Sequence, residues 1–193
     1  GAAALFPTGA PLSVVGYGCT SGSAQIGPAH IAALVKAGAM TANVTEPVSA
    51  LIAACRALGV QRIGLISPYV AEVSARLIAV LAAQGIVVSA FESFDAPLEK
   101  NVVRISPDSI IDAAVAMHQA HQDVEAIFLS CTNLRTLDVI GPLEQDLGVP
   151  VMSSNQVLAW HMLQLAGGAG SPRCAVGQLW DQPLCVISDL YLI

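Results

Sequence analysis

The sequence predicts an α/β fold of two pseudo-symmetric lobes, each a parallel sheet flanked by helices. Short runs rich in Val and Ile alternate with longer segments of helical period, which is the pattern of βαβ units. Two of these runs end alike, each in Cys-Thr followed by a polar turn and then Ile-Gly, which indicates an internal repeat. The length of 193 residues is sufficient for one sizeable domain or two small lobes with a real core.

Five apolar runs are predicted as strands because they are short, rich in β-branched residues and bounded by turn-forming residues. They are Leu12–Gly18, Arg62–Ser67, Ile86–Phe91, Glu125–Ser130 and Pro150–Ser153. In open α/β sheets a ligand lies beyond the carboxyl ends of the strands, so polar residues that directly follow a strand are the first site candidates. Four such places are Cys19–Ser23, Ser67–Tyr69, Cys131–Asn133 and Ser153–Asn155.

The segments between the strands are predicted as helices. Residues 70–84 carry one apolar stripe that ends at Gly85, and Ser106 followed by Pro107 is a strong helix start. Further helices are predicted at Pro28–Lys36, Glu46–Leu58, Leu137–Leu147 and Asn155–Leu165. The Gly-rich stretch at residues 166–172 is expected to release a loosely attached tail.

The composition favours a soluble oligomer that binds a small molecule. Hydrophobic residues make up 54% of the chain and charged residues only 11%, which suggests a large buried interface and predicts a homodimer or homotetramer. The longest apolar run, Leu77 to Phe91, is interrupted by Gln84 and Gly85 and is shorter than the ~20 residues of a membrane span. The net charge of −6 and only 8 scattered Lys and Arg residues argue against nucleic acid.

The five cysteines indicate a reducing compartment. Their odd number and their spacing fit neither a disulfide scaffold nor a zinc CxxC pair, so a cytoplasmic location is expected. No signal peptide is visible, although a chain that begins without Met is expected to have lost its true beginning. Cys55 lies in an apolar helix and is expected to be a packing residue, and no role is assigned to Cys174 or Cys185.

The duplicated Cys-Thr is the strongest chemical signal. Two lobes related by a pseudo-twofold axis would place Cys19 and Cys131 on opposite sides of one cleft. N–H and hydroxyl donors of the turns could stabilise a thiolate and also hold a carboxylate. For either cysteine alone, burial as a small apolar residue is the alternative. The segment "GYGCTS" is a weak dinucleotide-loop signal because Ser21 replaces the third glycine. His118 and His121 could pair on a metal, but a solvated helix end explains them better.

The motifs "GYGCTSGS", "ISPY" and "SCTNLRT" together resemble the aspartate/glutamate racemase superfamily. The resemblance is to its branch of maleate cis-trans isomerases, arylmalonate decarboxylases and an ectoine-utilisation protein. It extends from about Leu12 to Leu165 and implies an interlobe site without metal, flavin, PLP or another cofactor. Relatives begin with a further strand and helix, and nothing before Leu12 matches these, so the first strand of the first lobe is expected to be missing.

The resemblance also implies site residues. Cys19 and Cys131 match the two catalytic cysteines, the first adding to a substrate double bond and the second handling a proton. Residues that match carboxylate-binding positions are Thr20, Ser21, Tyr69, Asn101, Thr132 and Asn133. Arylmalonate decarboxylases carry glycine where Cys19 stands. The first lobe is expected to comprise residues 1–45 and 153–193, and the second lobe residues 46–152.

These observations predict a cofactor-independent isomerase or racemase that acts on a small dicarboxylate or amino-dicarboxylate. A decarboxylase of a malonate-like or ectoine-derived acid would use the same pockets with one essential thiol. An inactive carboxylate-binding protein is the third alternative. Arg104 and Arg135 could complement the charge of an anionic substrate, with surface ion pairing as the alternative role.

Overall fold

The computed structural model describes residues 1–168, 172 and 175–182, and it confirms the α/β fold. Every predicted strand is present with small changes at its ends. The strands are β1 (Leu12–Gly16), β2 (Thr41–Thr45), β3 (Arg62–Ser67), β4 (Val87–Ser93), β5 (Ala126–Leu129) and β6 (Val151–Ser153).

Helices connect the strands and cover both sides of the larger sheet. They are α1 (Thr20–Ile26), α2 (Pro28–Lys36), α3 (Pro47–Leu58), α4 (Ala71–Ala83), α5 (Glu99–Val102), α6 (Pro107–Ala120), α7 (Leu137–Leu147) and α8 (Ser154–Leu165). Short 3-10 turns cover Ala2–Leu5 and Gln178–Asp181. The predicted helix start at residue 106 is confirmed, because the Ser106 hydroxyl accepts the Ser109 amide hydrogen at 3.1 Å.

The strands form two parallel sheets. β1 and β2 pair with Leu12 opposite Thr41 and Gly16 opposite Thr45. The second sheet has the order β4-β3-β5-β6, with every neighbouring pair parallel. The chain enters this sheet at β3, moves outward to β4, and then crosses back to β5. The direction of winding therefore reverses between β3 and β5, and the crevice beyond such a reversal is where open α/β sheets bind ligands.

The internal repeat has a structural counterpart. In the smaller sheet, β1 leads through helices to its parallel neighbour β2, and in the larger sheet β5 leads through α7 to its parallel neighbour β6. Cys19 follows β1 and Cys131 follows β5, so the two Cys-Thr turns occupy equivalent places. β5 also pairs with β3 on its other side, whereas β1 has β2 as its one strand partner in the described part of the chain.

The core lies on both faces of the larger sheet. Leu65 and Phe128 are fully buried beneath α3 on one face, and Ile127 and Leu129 are buried beneath α6 and α7 on the other. Burial on both faces explains why β3 and β5 are continuous apolar runs without alternation. The buried sheet thus fixes the positions of the loops that follow β3 and β5.

Three elements were not predicted. β2 has the sequence "TANVT", whose single large apolar residue gives almost no strand signal. α1 begins at the predicted polar turn, where the backbone amide and the hydroxyl of Ser23 both donate to the Cys19 carbonyl. The short helix α5 has only four residues. In each case contacts with the rest of the fold outweigh a weak local preference.

The expectation of a loosely attached tail is wrong for residues 175–182. Leu179 is completely buried in the core, and the Gln156 side-chain amide donates to the Val176 carbonyl at 2.5 Å. The backbone amide of Gln178 donates to the Glu144 carboxylate at 2.9 Å. These contacts attach the segment to α7 and α8. Cys174, Cys185 and part of the Gly-rich stretch lie outside the described residues.

The long apolar run divides as predicted into helix, turn and strand. α4 ends at Ala83, Gly85 takes a φ of 79°, and β4 begins at Val87. A positive φ of this kind suits glycine, which has no Cβ to clash with its own carbonyl. Across residues 1–168, 172 and 175–182, none of the helices combines the length and apolarity required to cross a bilayer.

His161 should make folding sensitive to mild acid. Burial lowers the pKa of its imidazole from 6.5 to about 4, so the unfolded chain binds a proton more readily than the folded one between these values. The contribution of His161 to the unfolding free energy is therefore complete above pH 6.5 and falls by about 3 kcal/mol towards pH 4. Urea unfolding at several pH values should show this loss in the unsubstituted protein.

The matched variants for this prediction are His161→Gln and His30→Gln, the latter at an exposed position. His161→Gln should flatten the stability profile between pH 4 and pH 6.5, because it removes the group that titrates. His30→Gln should leave the slope unchanged. Equal slopes in all three proteins would show that the buried imidazole does not control this transition.

Candidate active site

Cys19 lies at the N-cap of α1 with donors directed at its sulfur. The thiol Sγ accepts the backbone N–H of Gly22 at 3.3 Å and lies 3.6 Å from the Ser21 hydroxyl oxygen. The side chain is partly exposed, so a small molecule can reach it. Donors placed around sulfur stabilise its thiolate form, which is the nucleophilic form of a cysteine.

Tyr17 is a third polar neighbour of this thiol. Its hydroxyl hydrogen-bonds to Cys19, and burial together with this sulfur raises the pKa of the phenol. Gly22 makes the arrangement possible, since a Cβ there would lie 2.5 Å from the Tyr17 hydroxyl oxygen and 3.1 Å from the Cys19 sulfur. A phenol that remains protonated can donate a hydrogen bond to the Cys19 sulfur.

Tyr17→Phe should slow alkylation of Cys19. The substitution keeps the ring and removes one donor to the sulfur. Hydrogen bonds to charged groups contribute roughly 1.5–3 kcal/mol, so we expect the iodoacetamide reaction at neutral pH to slow by about tenfold. Mass spectrometry of the Cys19 peptide measures this rate. Cys131 serves as the internal control, and an equal change at both thiols would indicate a general structural effect instead.

Cys131 is held in an unusual backbone conformation. Its φ is 108°, a region that side chains other than glycine rarely occupy. The backbone N–H of Cys131 donates to the Ser154 hydroxyl at 3.0 Å, and its sulfur accepts the Asn133 amide at 3.5 Å. Strained residues of this kind persist when surrounding contacts determine them, and they concentrate at functional sites.

The strain at Cys131 predicts an inverted preference between glycine and alanine. Cys131→Gly should be more stable than Cys131→Ala by about 1 kcal/mol, because only glycine accepts a positive φ without cost. At Cys55, inside α3, the order should be reversed by about the same amount. Urea unfolding of the four variants tests both statements, and a more stable alanine variant at position 131 would contradict the strain.

Burial sets the protonation of Cys131 and its neighbour Tyr69. Burial raises the pKa of the Cys131 thiol by more than the Tyr69 hydroxyl and the Asn133 amide lower it. Burial raises the pKa of Tyr69 far above its ordinary value, and the nearby Cys131 adds to this effect. At neutral pH both groups therefore keep their protons. Cys131 is suited to donate a proton, and Tyr69 is suited to donate a hydrogen bond.

Hydrogen bonds connect the two Cys-Thr turns directly. The Thr20 hydroxyl donates to the Ser154 hydroxyl oxygen at 2.8 Å, and the same oxygen accepts the amide of Cys131. The Thr132 hydroxyl donates to the Gly18 carbonyl at 3.1 Å. Because Tyr69 hydrogen-bonds to both Thr20 and Cys131, one phenol contacts residues from both turns. The predicted residues Thr20, Tyr69 and Cys131 thus form one cluster.

Of the remaining predicted residues, Ser21 and Asn133 lie beside the two sulfurs, whereas Asn101 has no described contact with either turn. The Asn133 side-chain amide donates to the Glu99 carboxylate at the start of α5. Asn101 is two positions further along α5 and is exposed. Ser21 is partly exposed next to Cys19. Within the described ranges no group of three or more His, Cys, Asp and Glu residues could hold a metal ion.

A cavity of about 580 Å³ opens beside the second turn. Its wall includes Thr132, Asn133 and Arg135 from the loop after β5, and Trp180 from the packed tail segment. The guanidinium of Arg135 lies at this opening. Arg135 was a candidate from the sequence for pairing with an anionic substrate. The cavity gives the turn room for a ligand larger than a single carboxylate.

Ser154 and Tyr17 were missed as site residues, although both lie in segments that the sequence analysis singled out. Ser154 belongs to the polar triplet after β6, and Tyr17 precedes the first Cys-Thr. Neither residue type by itself indicates a site. Ser154 meets Thr20 over a sequence separation of 134 residues, and no local pattern records such a contact.

Residues 2–179 match the arylmalonate decarboxylase family. The chain belongs to this family. The match covers most of the segment before Leu12 and the tail as far as residue 179. Membership confirms the resemblance to the racemase superfamily branch, whose known members are enzymes.

Curated relatives include a decarboxylase and isomerases. The arylmalonate decarboxylase of Bordetella bronchiseptica is 36% identical over 134 residues, which cover 69% of this chain and 56% of that protein. The maleate isomerase of Nocardia farcinica is 26% identical over 135 residues, which cover 69% of this chain and 53% of that protein. The chain thus spans about half the length of these relatives.

Solved structures show the same fold. Arylmalonate decarboxylase superposes with a TM-score of 0.78 at 32% identity, covering 88% of this chain and 75% of the other. A variant of the maleate isomerase of Pseudomonas putida with maleate superposes with a TM-score of 0.79 at 22% identity, covering 88% and 70%. The two-lobed expectation came from this superfamily, and these neighbours confirm the fold class.

Proposed function

We propose that the protein is a cofactor-independent isomerase or racemase that acts on a small dicarboxylate or amino-dicarboxylate through Cys19 and Cys131. The observation that carries the proposal is the pair of equivalent Cys-Thr turns, each with a tyrosine hydroxyl at its thiol and joined through Thr20 and Ser154. Two thiols in one site can serve the two faces of one substrate carbon. Isomerisation or racemisation at that carbon uses both cysteines, whereas decarboxylation needs a single thiol.

The surroundings of the two thiols suggest a division of roles. Cys19 is partly exposed and receives hydrogen bonds from Tyr17 and Gly22, which suits a nucleophile or base. Cys131 is buried with a raised pKa, which favours a protonated thiol. We assign the first attack or proton abstraction to Cys19 and proton delivery to Cys131.

We assign the substrate carboxylates to the two turns. The first carboxylate is assigned to the turn of Thr20 and Ser21 and to the hydroxyl of Tyr69, which lies close to Cys131. The second carboxylate is assigned to the turn of Thr132 and Asn133 and to Asn101. Donors fixed in this way stabilise the negative charge that develops on an enediolate, and such stabilisation is the largest requirement of carbanion chemistry.

With maleate as substrate, the steps balance as follows. The Cys19 thiolate adds to one alkene carbon, and the π electrons move onto the neighbouring carbon and its carboxylate as an enediolate. Cys131 protonates that carbon and gives a succinyl thioether whose new single bond rotates. The Cys131 thiolate then removes a proton from the same carbon, the double bond re-forms, and the C–S bond breaks to release fumarate and the Cys19 thiolate.

Decarboxylation of a malonate-like acid is the second candidate, favoured by the family match and by the 36% identical decarboxylase. In that reaction the C–C bond to one carboxylate breaks, carbon dioxide leaves, and Cys131 protonates the resulting enediolate. Cys19 would not be needed. Solved structures of arylmalonate decarboxylase include a variant in which cysteine replaces a glycine, and the resemblance places such a glycine at position 19.

Proton NMR in D2O tests both candidates with one set of reactions. We expect the protein to convert maleate to fumarate, or to exchange the α-proton of aspartate or glutamate. Phenylmalonate reports decarboxylation through loss of its carboxyl group and deuterium entry at the α-carbon. Turnover of phenylmalonate alone would replace the isomerase assignment by the second candidate. Binding of these acids without any turnover would indicate a carboxylate-binding protein.

A further inference from the structure

A second polar cavity of about 210 Å³ lies away from the two cysteines. It runs along β2 and is walled by α2, α3 and α8. Lys36, Arg56 and His161 line it together with the hydroxyl residues Thr45 and Ser49. None of the lining residues in the described part of the chain is acidic, although the protein carries a net charge of −6.

His161 supplies a buried polar atom without a partner. The side chain is 7% exposed, and its Nδ1 lies 2.8 Å from the Thr45 hydroxyl. Its Nε2 makes no hydrogen bond within the described structure. Buried ring nitrogens are nearly always satisfied, so a partner from outside the described residues is expected at this atom. When Thr45 donates to Nδ1, Nε2 carries the hydrogen and is a donor.

The cations at the cavity are not explained by their helices alone. Lys36 lies in the last turn of α2 and Arg56 in the last turn of α3, where a positive charge suits the helix dipole. That effect accounts for each residue singly but not for their convergence on one cavity that also contains a buried donor. Arg56 also donates to the Gln84 side chain at 3.3 Å, which leaves most of its guanidinium donors for another acceptor.

The buried carboxylate of Glu46 does not neutralise the positive charge of this cavity. Glu46 follows Thr45, but its two oxygens accept the backbone amides of Val48 and Ser49 at 2.6 and 2.8 Å. Its charge therefore caps α3 and is not paired with Lys36 or Arg56. The cavity keeps an excess of positive charge and of hydrogen-bond donors.

From this arrangement we propose that the cavity of Lys36, Arg56 and His161 binds a small oxyanion, a carboxylate or phosphate group. A guanidinium and an ammonium group match the charge of such a group, and the Nε2 hydrogen reaches it from the buried side. A volume of about 210 Å³ accommodates inorganic phosphate or a short carboxylic acid. The site is independent of the chemistry proposed for Cys19 and Cys131, so either assignment can fail alone.

NMR spectroscopy of the histidine rings tests the proposal directly. The chain has four histidines, and the other three serve as internal references. Inorganic phosphate and acetate are titrated separately at constant ionic strength maintained with chloride. We expect at least one of the two anions to shift the His161 ring signal to saturation, and the tighter one identifies the preferred group.

Charge-removing variants distinguish a site from general ion effects. Lys36→Gln and Arg56→Gln replace exposed side chains and should each weaken the titration by at least about tenfold. Arg76→Gln removes the same charge at an exposed position that does not line the cavity and should leave the affinity unchanged. An unsaturable His161 shift, a shift that Lys36→Gln and Arg56→Gln leave intact, or no shift with either anion would overturn the proposal and leave a bound water as the partner of Nε2.

Discussion

Cys19→Ser and Cys131→Ser should each lower the rate of isomerisation or racemisation by at least about 100-fold. A serine hydroxyl is a much weaker nucleophile and acid than a thiol at neutral pH, and general acid–base catalysis alone contributes roughly 10²–10⁴-fold. Because the two thiols act on the same substrate, the double variant should lose little more activity than either single one. Initial rates by NMR or ultraviolet absorption measure the effect.

Cys55→Ala is the matched control for these thiol substitutions. Cys55 is buried within α3, and burial raises its pKa to about 12, so it has no thiolate to contribute. This variant should keep the rate of the unsubstituted protein. Full activity of Cys19→Ser on any substrate would contradict the two-thiol assignment and favour the decarboxylase, for which Cys131 alone is required.

Tyr69→Phe should lower kcat by about 100-fold while the protein remains folded. The variant keeps the ring that packs beside Cys131 and removes a hydroxyl that contacts both Thr20 and Cys131. Loss of a single donor to a developing oxyanion costs roughly 10²–10³-fold in kcat in well-studied enzymes. Steady-state kinetics together with thermal unfolding separates this loss from instability.

Tyr17→Phe provides the comparison for this second substitution. Both tyrosines hydrogen-bond to a cysteine, but only Tyr69 is also placed between the two turns. Tyr17→Phe should therefore reduce kcat less than Tyr69→Phe does. If the two variants lose equal activity, the hydroxyl of Tyr69 has no role beyond that of a thiol neighbour.

The fold could be predicted from the sequence because the larger sheet is buried on both faces. Burial requires continuous apolar strands, and β3 matches its prediction residue for residue at Arg62–Ser67. The helices α2 and α7 also have the predicted bounds. Pro28 stands at the first position of α2 and Gly148 caps the end of α7, and both residue types mark helix ends in a sequence. Local signals suffice where the fold and the local preference agree.

The elements that were not predicted lack such local signals. β2 is a partly exposed strand that contains Asn43, and its pairing with β1 is what makes it a strand. α1 is a seven-residue helix formed from Thr, Ser and Gly, residues that favour turns when they are isolated. Both elements form because of tertiary contacts, so no short segment of the sequence indicates them.

The candidate site also has a part that the sequence indicated and a part that it did not. Cys19, Thr20, Cys131 and Tyr69 could be proposed because the motifs around them resemble a known superfamily. The link through Ser154 could not, because it joins residues that are 134 positions apart. The positive φ of Cys131 was equally hidden, since no glycine marks the position. Geometry of this kind follows only from the folded chain.

The most direct test of the two-thiol account is mass spectrometry of the Cys131→Ser variant after incubation with maleate. The account predicts that this variant accumulates one succinyl group on Cys19, because water can slowly protonate the enediolate, whereas no thiolate remains to remove the proton that must leave before the C–S bond breaks. An unmodified Cys19, or succinylation at Cys55 instead, would contradict it.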